Sequence, residues 1–195
     1  MLESLSLQWS PLRDVVSKWG YNKESLSTCQ EPFLTLIFMQ NIVIRAIGKL
    51  NEDWHQQAIH RYSKLISQFA KLDIVELQEG QKGAKKPDIQ LTRTHEALEL
   101  DKGIPKNSYL IALDETGREL TSSDFSKKLG QLADSGKNIV FLLGGSWGLD
   151  ESVRQKADLT LSLGPMTYPH ALARIVLLEQ IYRAFMILGG RTYHK

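Results

Sequence analysis

The stretch Ile139-Val-Phe-Leu-Leu-Gly-Gly-Ser-Trp-Gly-Leu149 constrains the fold of this chain more than any other. Five apolar residues with β-branched members run straight into a glycine cluster, then into Asp150-Glu151 and a polar helical pattern. That order predicts a buried strand, a tight turn and a helix start. Gly144, Gly145 and Gly148 leave backbone N–H groups uncovered and admit a ligand to contact distance. Two further segments repeat the arrangement: Tyr109–Leu113 runs into Asp114-Glu-Thr-Gly117, and Leu159–Leu163 into Gly164-Pro165. Three strands whose C-terminal ends all break into glycine loops predict one ligand crevice of a parallel sheet.

The same turn fits a second pattern. Gly144-Gly-Ser146-Trp-Gly148 matches G-x-S-x-G, the nucleophile elbow of α/β-hydrolases, and Asp158 and His170 follow in the hydrolase order. Only two or three candidate strands precede Ser146, no HGGG-like segment lies upstream, and an apolar strand separates Asp158 from His170. A serine hydrolase is the weaker reading.

Composition removes several other classes. At 195 residues and 42% apolar content the chain has the core of one ordinary domain, or one domain with an appendage. A net charge of +2 provides no general affinity for polyanions, and no apolar run reaches the roughly 18 residues of a spanning helix. Cys29 stands alone, which excludes an internal disulfide framework and a cysteine-based zinc site; no metal is expected, and a reducing cytoplasm is the simplest compartment.

Residues 1–38 hold Trp9, Pro11, Trp19, Cys29, Pro32 and the apolar run Phe33–Phe38, which is too short for a secretory core. Met39 stands directly before a complete first strand, Asn41–Ile47, with its turn at Gly48. Residues 1–38 therefore read as an N-terminal extension from an upstream start codon, and 39–195 as the domain. The alternative is a helix, Leu12–Trp19, packed on the domain.

From Met39 onward, strands and helices alternate. A helix is expected over Asp53–Lys71, with Trp54, Ala58, Ile59, Tyr62, Leu65, Ile66 and Phe69 inward. The strand Leu72–Leu77 follows, then a basic loop, Glu79–Pro87, with two readings: a solvated loop or a phosphate-contacting arm. A weak helix, Asp88–Leu100, has Ile89, Leu91, Ala97 and Leu98 as its apolar positions. After the strand Tyr109–Leu113, Ser122 or Ser123 caps a helix that keeps Phe125, Leu129 and Leu132 inward. The strand Ile139–Leu143, a short helix Asp150–Ala157 and the strand Leu159–Leu163 complete an α/β pattern: a mostly parallel sheet with helices on both faces.

The last segment opens on the loop Gly164–His170, with Pro169 suited to a helix start. The helix His170–Leu188 is apolar almost all round, so it needs cover on two sides; one small sheet covers one, and a second subunit is the economical source of the other. Arg174 faces the positive end of the helix dipole, a penalty that an anionic partner offsets or that snorkelling to solvent avoids. Arg183 has Glu179 four residues before it as an intrahelical partner. Gly189-Gly190 stops the helix and leaves Arg191-Thr-Tyr-His-Lys195 either frayed or free to reach a neighbouring site.

The runs LLGGSWGL, LSLGPMTYPHALARIVLLEQIYRAFMI and the terminal TYHK, together with IVIRAIGKL and LIALDETGRELTSSDF, resemble the RlmH family of SPOUT-class methyltransferases. The resemblance covers Met39 to Lys195. It implies methyl transfer from S-adenosylmethionine to N3 of a pseudouridine in the 23S ribosomal RNA stem-loop at the ribosomal subunit interface. It also implies a C-terminal trefoil knot, a homodimer and recognition of the assembled ribosome. Carried over residue by residue, it places Leu113, Gly144, Leu163, Gly164, Pro165, Met166, Thr167 and Tyr168 around a bent S-adenosylmethionine. His170, Tyr193 and His194 become the candidates for orienting the base and handling its proton. Arg174, Arg183 and Lys195 become the groups that hold phosphates or the carbonyl oxygens of the base. Which group accepts the N3 proton stays open. The rival from another class is a ribosome-binding or assembly factor that keeps the fold without the reaction.

Overall fold

Five parallel strands form the centre of the chain, and their composition explains why. The inner strands are apolar runs, Ile42–Ile47 broken only by Arg45, Leu110–Leu113 and Ile139–Leu143, the pattern of strands buried on both faces, whereas the edge strand Lys71–Leu77 alternates apolar with charged residues. The computed structural model describes residues 40–81, 83 and 85–191. The expectations for residues 1–38 and for Tyr193, His194 and Lys195 lie outside these described residues.

The strands are β1 (Asn41–Ile47), β2 (Lys71–Leu77), β3 (Ser108–Glu119), β4 (Asn138–Leu143) and β5 (Leu159–Ser162), arranged β2-β1-β4-β3-β5. Every pairing is parallel. The helices are α1 (Asp53–Ile66), α2 (Ile89–Asp101), α3 (Ser122–Asp134), α4 (Glu151–Lys156) and α5 (His170–Leu188). One face of the sheet buries Ile47, Leu110, Ala112, Val140 and Leu142 against Leu100 of α2, Val153 of α4 and Leu149. Alternate residues point the other way, where Phe141 meets Phe125 of α3, ring centroids 6.3 Å apart. On that side α5 packs against both α1 and α3. The expected α/β architecture with helices on both faces is therefore present.

Local expectations differ from the structure at four places. The helix α1 stops at Ile66, five residues early, because the N–H of Lys71 already donates to Gln40 O (3.0 Å) at the start of β2. Trp54, expected inward, is 52% exposed. The α3 cap is Thr121, whose hydroxyl accepts from Asp124 N (3.1 Å), and neither Ser122 nor Ser123. Third, β3 does not end at Leu113. The chain steps out at Asp114–Gly117 and rejoins β5, pairing Arg118 with Leu161 and Glu119 with Ser162. There Gly117 lies so close to β5 that a Cβ would stand 2.8 Å from Leu161 N and 2.7 Å from its carbonyl carbon. Only glycine permits so close an approach of two backbones.

The fourth difference is the rotation of α2. Its buried residues are Thr92, Glu96 and Leu100, one stripe at four-residue spacing, while Ile89, Leu91 and Leu98 face solvent. Asp88 caps the helix by accepting from Leu91 N (2.9 Å).

Candidate cofactor and active site

Strand register determines which loops meet. Leu113 of β3 lies level with Leu143 of β4 and with Leu161 of β5. The chain therefore leaves three adjacent strands at one height: after Leu113, into Gly144, and through Ser162 to Leu163. The eight residues expected around the cofactor sit on these three loops, at the C-terminal edge of the sheet where open α/β folds bind ligands.

Backbone packing shapes the first two loops. A Cβ on Gly144 would stand 2.7 Å from both the carbonyl carbon and the oxygen of Gly148, so this turn closes on itself only with glycine. Gly148 donates to Gly145 O (3.1 Å), and Arg93 Nε donates to Trp147 O (2.7 Å). After β5, Gly164 takes φ +121°, and its N–H donates to Ser162 Oγ (3.1 Å). Thr167 Oγ1 donates to Glu115 Oε2 (2.9 Å), tying the third loop to the one after Leu113. Leu113, Leu163, Gly164 and Tyr168 are half-buried, whereas Pro165, Met166 and Thr167 are exposed. A cleft of about 230 Å³ opens beside Leu163 and Gly164, walled by Leu161, Phe125, Leu177 and Gln180. Half-buried leucines beside backbone amides and carbonyls suit a flat heteroaromatic ring that is read by main-chain hydrogen bonds, as the adenine of S-adenosylmethionine requires.

Residues 163–169 carry the chain from β5 at the sheet edge past the ends of β3 and β4 to β1. There Gly48 takes φ +86°, and a Cβ would stand 2.9 Å from Glu79 Oε1 and 3.6 Å from His170 Nε2. Burial first, and then the positive charge of Arg174, hold the imidazole of His170 below the ordinary histidine range, with Glu79 working the other way. The neutral ring at neutral pH is able to take up a proton.

Arg174 lies one turn further on and is 1% exposed. Of the two readings its position left open, the anionic partner is the one present: Nη1 donates to Glu76 Oε1 (2.7 Å). Its Nη2 donates to Gly48 O (3.0 Å) and Ile47 O (3.3 Å). In this structure the guanidinium is engaged by its own chain, not turned toward the phosphates or the carbonyl oxygens of the base that were expected as its partners. A guanidinium buried on its own strand ends acts on the site by fixing the terminus of β1, beneath His170. Arg183 forms the expected pair with Glu179 (Nη2 to Oε1, 2.6 Å).

Three acidic residues that matter here are marked by no motif. Glu76 and Glu79 sit in or just after an alternating strand, and Glu96 in a helix of weak periodicity. The weak periodicity is itself the usable signal, since apolar positions that share no face leave the inward face to polar residues.

The hydrolase reading fails on geometry. Ser146 is exposed at the C-terminal edge of the sheet, while the carboxylate of Asp158 accepts from Leu110 N (2.8 Å) at the start of β5, the opposite edge. No triad forms from residues at opposite edges. Among the described residues no helix is long and apolar enough to cross a membrane, and no cluster of His, Cys, Asp and Glu is placed to hold a metal ion.

Comparison with known proteins identifies the family. A family model described as "Predicted SPOUT methyltransferase" matches residues 40–194. The chain is 43% identical over 157 residues to the ribosomal RNA large subunit methyltransferase H of Ruminiclostridium cellulolyticum, covering 79% of this chain and 99% of the relative. It is 42% identical over 158 residues to the protein of the same name from Clostridium kluyveri, covering 80% and 99%. Among solved structures it is similar to a probable methylase family protein from Haemophilus influenzae Rd KW20, at 15% identity and a TM-score of 0.47, with 81% and 72% of the two chains covered. By the family match and these relatives, the chain belongs to the SPOUT methyltransferase family.

Proposed function

We propose that this chain transfers the methyl group of S-adenosylmethionine to N3 of a pseudouridine in 23S ribosomal RNA, working as a homodimer on the assembled ribosome in the cytoplasm. The observation that carries the reading is the common height of the loops after Leu113, Leu143 and Leu161, which gathers the cofactor-binding residues on one edge of the sheet. The names of its relatives support the substrate class.

Bound S-adenosylmethionine supplies a methyl group already activated on sulfonium, so the protein's part is alignment and removal of one proton. Leu113, Gly144 and the run Leu163, Gly164, Pro165, Met166, Thr167 and Tyr168 hold the cofactor, the backbone reading the adenine. His170, kept neutral over Gly48, accepts the N3 proton. Arg174 fixes the end of β1 on which that histidine rests. The tail residues Tyr193, His194 and Lys195 complete the substrate side, and Arg183 contacts the RNA. In this reading the C-terminal part of the chain forms the trefoil knot of the family.

The dimer rests on α5. Its buried face is Ala171, Arg174, Leu177, Leu178, Ile181, Ala184 and Phe185, while Ile175, Val176, Met186 and Ile187 are only partly covered. These apolar side chains are the surface a second subunit covers. Because Ile181 is buried within its own chain, a charge there tests folding; Ile175→Asp tests the dimer.

Titration calorimetry with S-adenosylmethionine tests the reading directly. It predicts saturable heat and competition by S-adenosylhomocysteine. No heat and no competition would leave a ribosome-binding protein without the reaction.

A further inference from the structure

The rotation of α2 is costly on its face. It leaves Leu91 and Leu98 in water and puts the carboxyl of Glu96, only 3% exposed, in the interior. Position along the helix explains what that burial secures. Three residues at three-residue spacing grip the turn that follows β4. Gln90 Nε2 donates to Asp150 Oδ2 (3.1 Å), Arg93 Nε donates to Trp147 O (2.7 Å), and Glu96 lies against Gly145. A Cβ on Gly145 would stand 3.0 Å from Glu96 Oε1 and 3.1 Å from Oε2, so the carboxyl rests directly on that backbone.

The same carboxyl reaches the other way. Oε1 accepts from Gly80 N (3.2 Å), at the start of the basic loop 79–87. Backbone packing reinforces this contact, since a Cβ on Gly80 would stand 2.7 Å from Thr92 O. Oε2 is fully enclosed and has no hydrogen-bond partner among the described residues. Burial pushes the Glu96 carboxyl above the ordinary range, and the amides of Gly80 and Gly145 oppose that shift. A buried carboxyl that accepts from Gly80 and packs on the backbone of Gly145 is a costly choice for stability alone, because an apolar residue on this stripe would avoid the desolvation.

We propose that Glu96 is a positioning residue of the methyltransferase site: it holds the Gly144–Gly148 turn in its cofactor-binding shape and joins that turn to the basic loop at Gly80. The inference rests on the methyltransferase reading above.

The test uses the full chain with Glu96→Gln and Glu96→Ala, and Thr92→Val as a control. Thr92 is buried on the same stripe, and its hydroxyl donates to Asp88 O (2.7 Å) and to Gln81 Oε1 (3.5 Å) rather than to the cofactor turn. Binding of S-adenosylhomocysteine is measured by calorimetry, thermal unfolding by circular dichroism, and the Gly145 amide resonance by NMR. Glu96→Gln is expected to melt at or above the wild-type temperature, to shift the Gly145 amide, and to bind the cofactor product at least about tenfold more weakly. Glu96→Ala is expected to lose as much affinity or more, and Thr92→Val to lose melting temperature with unchanged affinity. Affinity within about twofold of wild type in both Glu96 variants overturns the proposal, as does a loss in Glu96→Ala that merely tracks its melting temperature while Glu96→Gln binds normally. A wild-type chain that binds no S-adenosylhomocysteine is a different result, which removes the methyltransferase reading and this inference with it.

Discussion

Replacing Arg174 by methionine removes a buried cation and keeps the length of the side chain. Three hydrogen bonds go with it: one to Glu76 and two to the carbonyls of Ile47 and Gly48. Breaking one partner of a buried pair costs about 3–5 kcal/mol, largely through the groups left behind. Two features moderate that figure here. The Glu76 side chain is 32% exposed, so its carboxylate rehydrates once freed, and methionine no longer bears the desolvation of the guanidinium. The two carbonyls lie deeper and lose a charge-assisted donor worth roughly 1.5–3 kcal/mol each at most. A net loss near 3 kcal/mol follows, which in a domain of this size lowers the melting temperature by roughly 6–12 °C. Thermal unfolding followed by circular dichroism measures it. A double-mutant cycle with Glu76→Gln isolates the pair, and the double variant is expected to fall short of the sum of the singles by about 1–2 kcal/mol. An Arg174→Met chain that melts within about 2 °C of wild type, or a strictly additive cycle, would refute the view that this arginine anchors the end of β1.

Three further outcomes follow from the same geometry. The His170 pKa is depressed by burial and by Arg174, so the folded chain binds fewer protons there than the unfolded one. Its contribution to stability is complete above about pH 6.5 and is lost as pH falls through the folded pKa; NMR titration should place His170 below 6.5, and Arg174→Met should move it upward, carrying the acid limb of the kcat/KM profile with it. Gly144→Ala drives a methyl group into the carbonyl of Gly148 at 2.7 Å, so calorimetry should show cofactor affinity falling at least about tenfold. Deleting Tyr193–Lys195 should abolish turnover with cofactor affinity within about threefold of wild type, and pairing that chain with a Gly144→Trp chain in one heterodimer should restore activity if the tail works across the dimer.

The sheet was legible where burial on both faces excludes polar residues, as in Ile139–Leu143, and where apolar residues alternate with small polar ones, as in Leu159–Leu163. Ile139–Leu143 and Leu159–Leu163 therefore read as strands without reference to their neighbours, and α5 was legible to the residue from its apolar run and its Gly189-Gly190 stop. What could not be read depends on partners distant in sequence. Asp114-Glu-Thr-Gly117 has turn chemistry, yet pairing with β5 continues the strand to Glu119. Arg174 and its partner Glu76 are 98 residues apart, so only the fold shows that the cation points inward. For α2, local hydrophobicity points to Leu91 and Leu98, and tertiary contacts of Thr92 and Glu96 decide otherwise. The three glycine loops were visible in the sequence, but their common height needed the strand order and register.

The central claim is tested most directly by the reaction itself. Ribosomes from cells lacking the pseudouridine N3 mark are incubated with the purified chain and S-adenosylmethionine carrying a deuterated methyl group, and the 23S ribosomal RNA is digested and analysed by mass spectrometry. The account predicts the deuterated methyl on N3 of one pseudouridine and on no other nucleotide. Unlabelled RNA, or label on a ribose or another base, would contradict it.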